Sequence, residues 1–320
     1  MAATAKVFAD TRRMKREDWL ALRRKGIGGS DASAILGLNP YSSPLRVYME
    51  KIGKAEEQET NEAMRQGTDL EDYVAHRFTE DTGLKVKKCN KMLQHPEHKW
   101  MLANVDRLIV GHNWGLECKT TSPYSKFKFE EGEINPHYYW QSMHYMAVTG
   151  AEKWYVAILV LGKAFHVFEL ARDEDAIASL VEAEKDFWLR HVEPKVPPLP
   201  TGNDADDEAI AALYPQGMDG TEGDDVLEMD DREDVLNLRD FKARQRDELD
   251  AEIKAIDQQL KLALGDFQRG MSAGWKINWT NTTSSRVDTK LLKEKYPQIA
   301  AEVTKTTVGR RFSVAKMKEA

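Results

Sequence analysis

The chain has 320 residues, a mass of 36.5 kDa and 41% apolar residues, enough for one large core or two modest ones, which excludes a peptide-sized or disulfide-stapled scaffold. Its two cysteines, Cys89 and Cys118, exclude a disulfide framework, a four-thiolate iron–sulfur cluster and a cysteine-built zinc site, and they fit a reducing compartment. The net charge of −7 speaks against a polyanionic partner only until it is divided: residues 204–234 hold 13 Asp or Glu against one Arg, so the rest of the chain is net positive.

In chain order, residues 19–24 read as helical, 26–29 as a glycine turn, and Ser30 as the cap of a short helix through 36. Pro44 opens a helix to 51, and a long helix runs over 61–82 and stops at Gly83. Strand patterns cover 84–91, 100–110 and 115–120, the last two joined by the turn formers Gly111, His112 and Asn113; an antiparallel meander is expected. A helix over 137–148 ends at Gly150. The apolar strand 154–161 then turns through Gly162 and Lys163 into 164–170, and a last helix covers 174–191. The order α, βββ, α, ββ, α indicates an α/β core with a mixed central sheet.

Pro194, Pro197, Pro198 and Pro200 end that core and lead into the acidic tract. Three parts follow: a core domain over 1–193, a Pro-rich and acidic linker over 194–234, and a C-terminal region over 235–320. In the last, Leu249, Ile253, Ile256, Leu260 and Ala263 recur at steps of four and three, the seam of an amphipathic helix suited to pairing as a coiled coil. Alternation around Trp275, Ile277 and Trp279, a helical 290–296 and a basic, β-like 306–314 suggest a small α+β appendage. No run reaches 18 apolar residues, the longest being 154–161, and the N-terminus has no apolar signal core, so a soluble protein retained in the cytoplasm is expected.

The most informative constellation is Asp106 near one strand end and Glu117-Cys118-Lys119 on the next strand. Alternation sends Glu117 and Lys119 to one face and Cys118 to the other, and a hairpin brings Asp106 alongside. Two converging carboxylates offer hard oxygens to Mg²⁺ or Mn²⁺, and a neighbouring lysine orients water and offsets developing charge, the parts of a phosphodiester hydrolase. An isolated Glu-x-Lys is equally an exposed strand pair. Glu71 falls in the helical series Met64, Gly67, Glu71, Val74 and Phe78, a carboxylate set into a burying face that needs either a metal or an Arg or Lys partner. Tyr138, Gln141 and Tyr145 share one helix face, suited to holding water or the scissile strand, or to aromatic packing. Arg24 and Lys25 precede the Gly26–Gly29 turn and a helix start, where free amides favour a phosphate, although Asp31 there also suits simple capping. His95 and His98 lack a second ligand pair for zinc, and Cys118 points away from Lys119.

Together these residues resemble the YqaJ-type phage recombination nucleases, relatives of the lambda exonuclease in the PD-(D/E)XK superfamily. The resemblance is carried by Gly26-Ile27-Gly28-Gly29-Ser30-Asp31-Ala32 with Ala34-Ile35-Leu36-Gly37, by Gly67-Thr68-Asp69-Leu70-Glu71, by Asn104-Val105-Asp106, by Leu116-Glu117-Cys118-Lys119, and by Tyr138-Tyr139-Trp140-Gln141 with Met143; it covers about residues 15–192. It implies a restriction-endonuclease-like core in which Asp106, Glu117 and Lys119 fill the signature positions. It further implies that Glu71 and the Cys118 carbonyl join Asp106 and Glu117 around the metal, that Gln141 and Tyr138 lie near the scissile phosphate, and that Arg24 and Ser30 grip the phosphate of a DNA 5′ end. Asn-Val-Asp stands where the family has Pro-Asp, with the carboxylate kept. The implied activity is a Mg²⁺-dependent exonuclease, with Mn²⁺ as a substitute, that resects linear duplex DNA 5′-to-3′ and leaves a 3′ single strand for a single-strand-annealing protein. The implied setting is the cytoplasm of a bacterial host of a phage or prophage. Self-association is compatible with it, an endonuclease is the main alternative, and a nonenzymatic DNA-binding adaptor is the weaker one.

Overall fold

The computed structural model describes residues 5–55, 61–125, 132–215, 227–306 and 310–317, in two compact units, Met1–Pro215 and Gln216–Ala320. In the first unit the elements run β1 (Lys6–Asp10), α1 (Arg16–Arg23), α2 (Gly29–Ile35), α3 (Pro44–Lys51), α4 (Glu62–Thr82), β2 (Val86–Lys88), β3 (Lys91–Gln94), β4 (Leu102–Asn104) and β5 (Arg107–Ile109). They continue with β6 (Trp114–Thr121), α5 (Pro136–Thr149), β7 (Lys153–Val160), β8 (Ala164–Ala171), α6 (Glu174–Phe187) and α7 (Asp204–Leu213). A five-stranded sheet in the order β2-β5-β6-β7-β8 is mixed: β6 and β7 are parallel, joined by the α5 crossover, and the other pairs are antiparallel. A second, antiparallel sheet has the order β1-β3-β4.

The long helices begin and end where their caps dictate. The Asn61 side chain accepts the Met64 N–H at 2.9 Å to start α4, and Gly83, at φ 73°, ends it; Asn135 accepts the His137 N–H at 3.1 Å to start α5, and Gly150, at φ 69°, ends it. The β7–β8 hairpin also follows the sequence pattern. The two preceding strands do not. Residues 84–91 and 100–110 each break, at Cys89-Asn90 and Val105-Asp106, and divide their halves between the two sheets. Met101, Leu102 and Ala103 are buried in succession, so both faces of that segment are covered and alternation carries no mark of the switch.

The central sheet packs α4 on one face and α5 on the other. Trp154 is fully buried beside Gly115 of the neighbouring strand, where a Cβ would lie 2.3 Å from the indole; only glycine leaves room for it. Gly29 plays the same part between α2 and α5: a Cβ there would come within 2.6 Å of the Tyr145 ring, so its absence lets the glycine turn settle onto the helix that carries Gln141.

Two expectations are corrected in this unit. Ser30 does not cap α2: Gly28 is the N-cap residue and its N–H is met by Asp31 Oδ2 at 2.8 Å, three residues on, because the Asp carboxylate reaches back where glycine has no side chain. Part of the segment assigned to the linker is folded: α7 packs on α3 through buried Ala209, and Asp206 accepts hydrogen bonds from Thr201 N, Thr201 Oγ1 and Gly202 N. Its acidic residues mask one apolar stripe.

The second unit holds α8 (Glu233–Leu264), β9 (Arg269–Ser272) paired antiparallel with β10 (Trp275–Asn278), α9 (Thr289–Lys295) and α10 (Pro297–Val303). The seam residues Leu249, Ile253, Ile256 and Leu260 lie on α8 and are all exposed. Of the β-like stretch 306–314, residues 307–309 lie outside the described residues and the described remainder forms no strand. Among the described residues no helix is long and apolar enough to cross a membrane.

Candidate active site

Strand β6 presents Glu117 and Lys119 on one side, as its two-residue period requires, and turns Cys118 toward the cluster around Val74, Phe78 and Leu116. Pairing of Arg107 with Leu116 sets Asp106, just before β5, against Glu117. The Cys118 N–H donates to Asp106 Oδ2 at 2.9 Å, which fixes that carboxyl beside the second one.

Glu117 is only 4% exposed. Its Oε1 accepts from Gln141 Nε2 at 2.7 Å and lies 2.6 Å from Lys119 Nζ, while its Oε2 is buried with no hydrogen-bond partner among the described residues. Gln141 also donates to Tyr145 Oη at 2.9 Å, so the amide is locked between helix and strand. Burial and the neighbouring Glu117 push the Asp106 carboxyl well above the usual aspartate range, against the opposing pull of Lys119 and the Cys118 N–H. Burial disfavours the Lys119 ammonium, but Glu117 and Asp106 outweigh it and hold Lys119 above its ordinary value, firmly charged. Its ammonium also sits 5.4 Å from the centroid of the Tyr138 ring, a cation–π contact that restricts where it points.

Glu71 is brought to the same end of the sheet but has another partner. The Arg107 side chain, 4% exposed, pairs through Nη1 with Glu71 Oε1 and, at 2.5 Å, through Nη2 with Asp72 Oδ1; Nη1 also donates to the Asp106 carbonyl at 2.8 Å. Among the described residues no three His, Cys, Asp or Glu side chains are gathered at metal-holding distance. In this structure Glu71 is paired with arginine, one of the two kinds of partner open for it. Arg107 escapes sequence reasoning because an arginine at a strand start reads as surface.

The glycine turn carries a second ionic cluster. Asp31, buried, is met by Lys51 Nζ at 2.5 Å and Arg23 Nη2 at 2.8 Å. These cations and the Gly28 N–H overcome the burial that would raise it, and hold the Asp31 carboxyl well below its ordinary value. Ser30 is exposed and its Oγ accepts from Arg23 Nη2 at 2.7 Å. Arg24 is exposed and lines a cleft of about 280 Å³ with Arg16, Trp19, Arg23, Arg46 and Lys51. Arg23, unassigned from sequence, thus contacts Ser30 where Arg24 does not; nothing in a bare Arg-Arg doublet says which of the two turns inward.

His144 escaped the sequence reading as well. Its Nε2–H donates to the Leu102 carbonyl at 2.8 Å, and Nδ1 faces Glu184 Oε1 at 2.7 Å, a fully buried pair that ties α5 to α6 behind Gln141. His95 accepts the N–H groups of Glu97 and His98 at Nδ1, and its ring stacks on that of His98.

A family model for the YqaJ-like viral recombinase domain matches residues 18–152. The YqaJ protein of Bacillus subtilis (strain 168) is 37% identical over 318 residues, 98% of each chain, so the likeness spans both units. Among solved structures, the LHK-Exo alkaline exonuclease of Laribacter hongkongensis is 20% identical, with a TM-score of 0.47 over 62% of this chain and 100% of that one. A phage-related exonuclease from Haemophilus somnus 129PT is 13% identical, with a TM-score of 0.41 over 55% of this chain and 99% of that one.

Proposed function

The chain belongs to the YqaJ-like viral recombinase family, and from that premise we propose that it is a Mg²⁺-dependent deoxyribonuclease that resects linear duplex DNA 5′-to-3′. The observation that carries the hydrolytic part is the buried Asp106–Glu117 pair with its lysine, above all Glu117 Oε2, a desolvated carboxylate oxygen left without a partner. An orphaned anionic oxygen in a dry site is costly, and a cation is what relieves it. Polarity and the annealing partner rest on the family resemblance.

The residues fit a small, hard cation. Mg²⁺ needs only one or two protein carboxylates and keeps the rest of its shell as water and substrate oxygens, so Asp106 and Glu117 with the Cys118 carbonyl would suffice, and Glu71 would join on release from Arg107. Mn²⁺ suits the same oxygens. When bound, the ion polarises the phosphodiester and makes water more acidic. Gln141 holds Glu117 Oε1 and so aims Oε2 into the site. Lys119, charged and steered by Tyr138, donates to the attacking water and offsets the charge that builds on the phosphoryl oxygens. Arg24 and Ser30 hold the phosphate at the DNA 5′ end, with Arg23 beside them. The exposed 3′ strand is then the substrate of a single-strand-annealing protein in the bacterial cytoplasm.

The test is release of label from duplexes marked at the 5′ or the 3′ end, with Mg²⁺ or with EDTA. Mg²⁺-dependent release from the 5′ end is expected, and Glu117→Ala or Lys119→Ala should lower it by on the order of 10²-fold or more with far-UV circular dichroism unchanged. Near-parental turnover in either variant would remove that residue from the mechanism.

A further inference from the structure

The second unit ends in a basic region on an otherwise acidic chain. Residues 265–320 hold eleven Lys or Arg against five Asp or Glu, whereas the whole chain is −7. Within that region β9 and β10 form a two-stranded hairpin, and its register divides the side chains cleanly. Trp275 pairs with Ser272 and Ile277 with Gly270, so Trp275 and Ile277 share one face; Trp279, whose N–H donates to the Gln268 carbonyl at 2.9 Å, extends that face by the same period. Arg269, Met271, Lys276 and Asn278 form the other, and all four are exposed.

The tryptophans are not the hairpin's anchor. Gly270 lies against the tip of Leu264 at the end of α8, where a Cβ would stand 3.0 Å from Leu264 Cδ2, and Ile277 fills the adjoining space, half-buried. That contact holds the hairpin to the helix and leaves Trp275 76% and Trp279 49% exposed on either side of Ile277. The cross-strand neighbour of Trp275 is the small Ser272, and Trp279 lies just past the last paired position, opposite Gln268. A pair of large aromatics left in water has a cost that an apolar core position would have removed.

We infer that the β9–β10 hairpin is a binding platform for single-stranded DNA, on which bases stack against Trp275 and Trp279 while the net positive charge of residues 265–320 draws the polyanion in. The charge selects a polyanion over an apolar protein surface. The open aromatic faces select single strands over duplex, whose bases are already stacked and whose surface offers phosphate alone. Lys290, Lys293 and Lys295, all exposed on α9, add to the field without demanding any sequence of bases. This inference stands apart from the nuclease reading, because stacking and charge act without a metal or a cleavage step.

The experiment uses the full chain in EDTA, so that cleavage is silent, with fluorescence anisotropy of labelled oligo(dT) and of a blunt duplex, and with tryptophan quenching as a direct readout. The double variant Trp275→Ala/Trp279→Ala should bind oligo(dT) at least about tenfold more weakly while blunt-duplex binding stays parental. Trp275→Phe/Trp279→Phe should recover most of the loss, since a phenyl ring still stacks. Unchanged oligo(dT) affinity in the alanine variant would overturn the proposal. An equal loss for duplex and single strand would also do so, as would a change of mass in light scattering with oligo(dT) affinity kept, which would make the face a protein contact.

Discussion

At the scale of single residues, the proposed function makes distinct demands on two arginines. Arg107 holds Glu71 and Asp72 and the Asp106 carbonyl from a nearly buried position. If Glu71 joins the proposed metal site, Arg107 is the cation it must leave. Arg107→Met keeps the volume and removes the charge; because Asp72 is 72% exposed and Glu71 reaches solvent, the variant should lose only about 1 to 3 kcal/mol of stability. Its melting temperature should rise more on Mg²⁺ addition than the parent's, since Glu71 is then free for the ion. An equal or smaller rise would leave Glu71 as an arginine partner alone. Arg24 is the second group. If it holds a terminal phosphate, Arg24→Ala should weaken duplex-end binding and flatten its salt slope by about 0.9, and an unaltered slope would rule out the contact. The sequence made Asp106, Glu117 and Lys119 legible because alternation puts Glu117 and Lys119 on one face and a short hairpin sets Asp106 beside them. It could not disclose Arg107 or the His144–Glu184 pair, since each depends on a partner 36 or 40 residues away that no local period marks.

At the scale of elements, the glycine turn is held by charge. Asp31 sits where Arg23, at the end of α1, and Lys51, at the end of α3, converge on α2, so three helices meet at one carboxylate. Its folded pKa lies below the ordinary 3.8, so the contribution to stability is complete above that value and is lost as the pH falls through it toward the folded value. Asp31→Asn keeps an acceptor for Gly28 but strands Lys51. Urea unfolding of parent and variant should therefore differ most above about pH 5, with the gap narrowing progressively as the pH falls below about 4. A gap that stays constant with pH would show that the cost is one of packing. The helices α4 and α5 were readable to within a residue because Asn61, Gly83, Asn135 and Gly150 cap them. The sheet switch at Val105-Asp106 was not, because both faces of Met101–Ala103 are buried; nor was α7, whose acidic composition reads as linker until Ala209 is seen packed against α3.

At the scale of the whole molecule, charge is unevenly distributed. The acidic excess of the chain is concentrated over 204–234, the candidate site and its cationic cleft lie in the first unit, and a basic region closes the second. The likeness to the Bacillus subtilis relative extends over both units. We propose that Asp106 and Glu117 serve a metal-dependent hydrolysis that begins at DNA ends. Its most direct test is digestion of linear and covalently closed duplex DNA with Mg²⁺, alongside Glu117→Ala, with strand-specific end labels. Loss of the linear substrate alone, from its 5′ ends and only with parental Glu117, is the predicted result; cutting of the closed circle, or cleavage that survives Glu117→Ala, would contradict it.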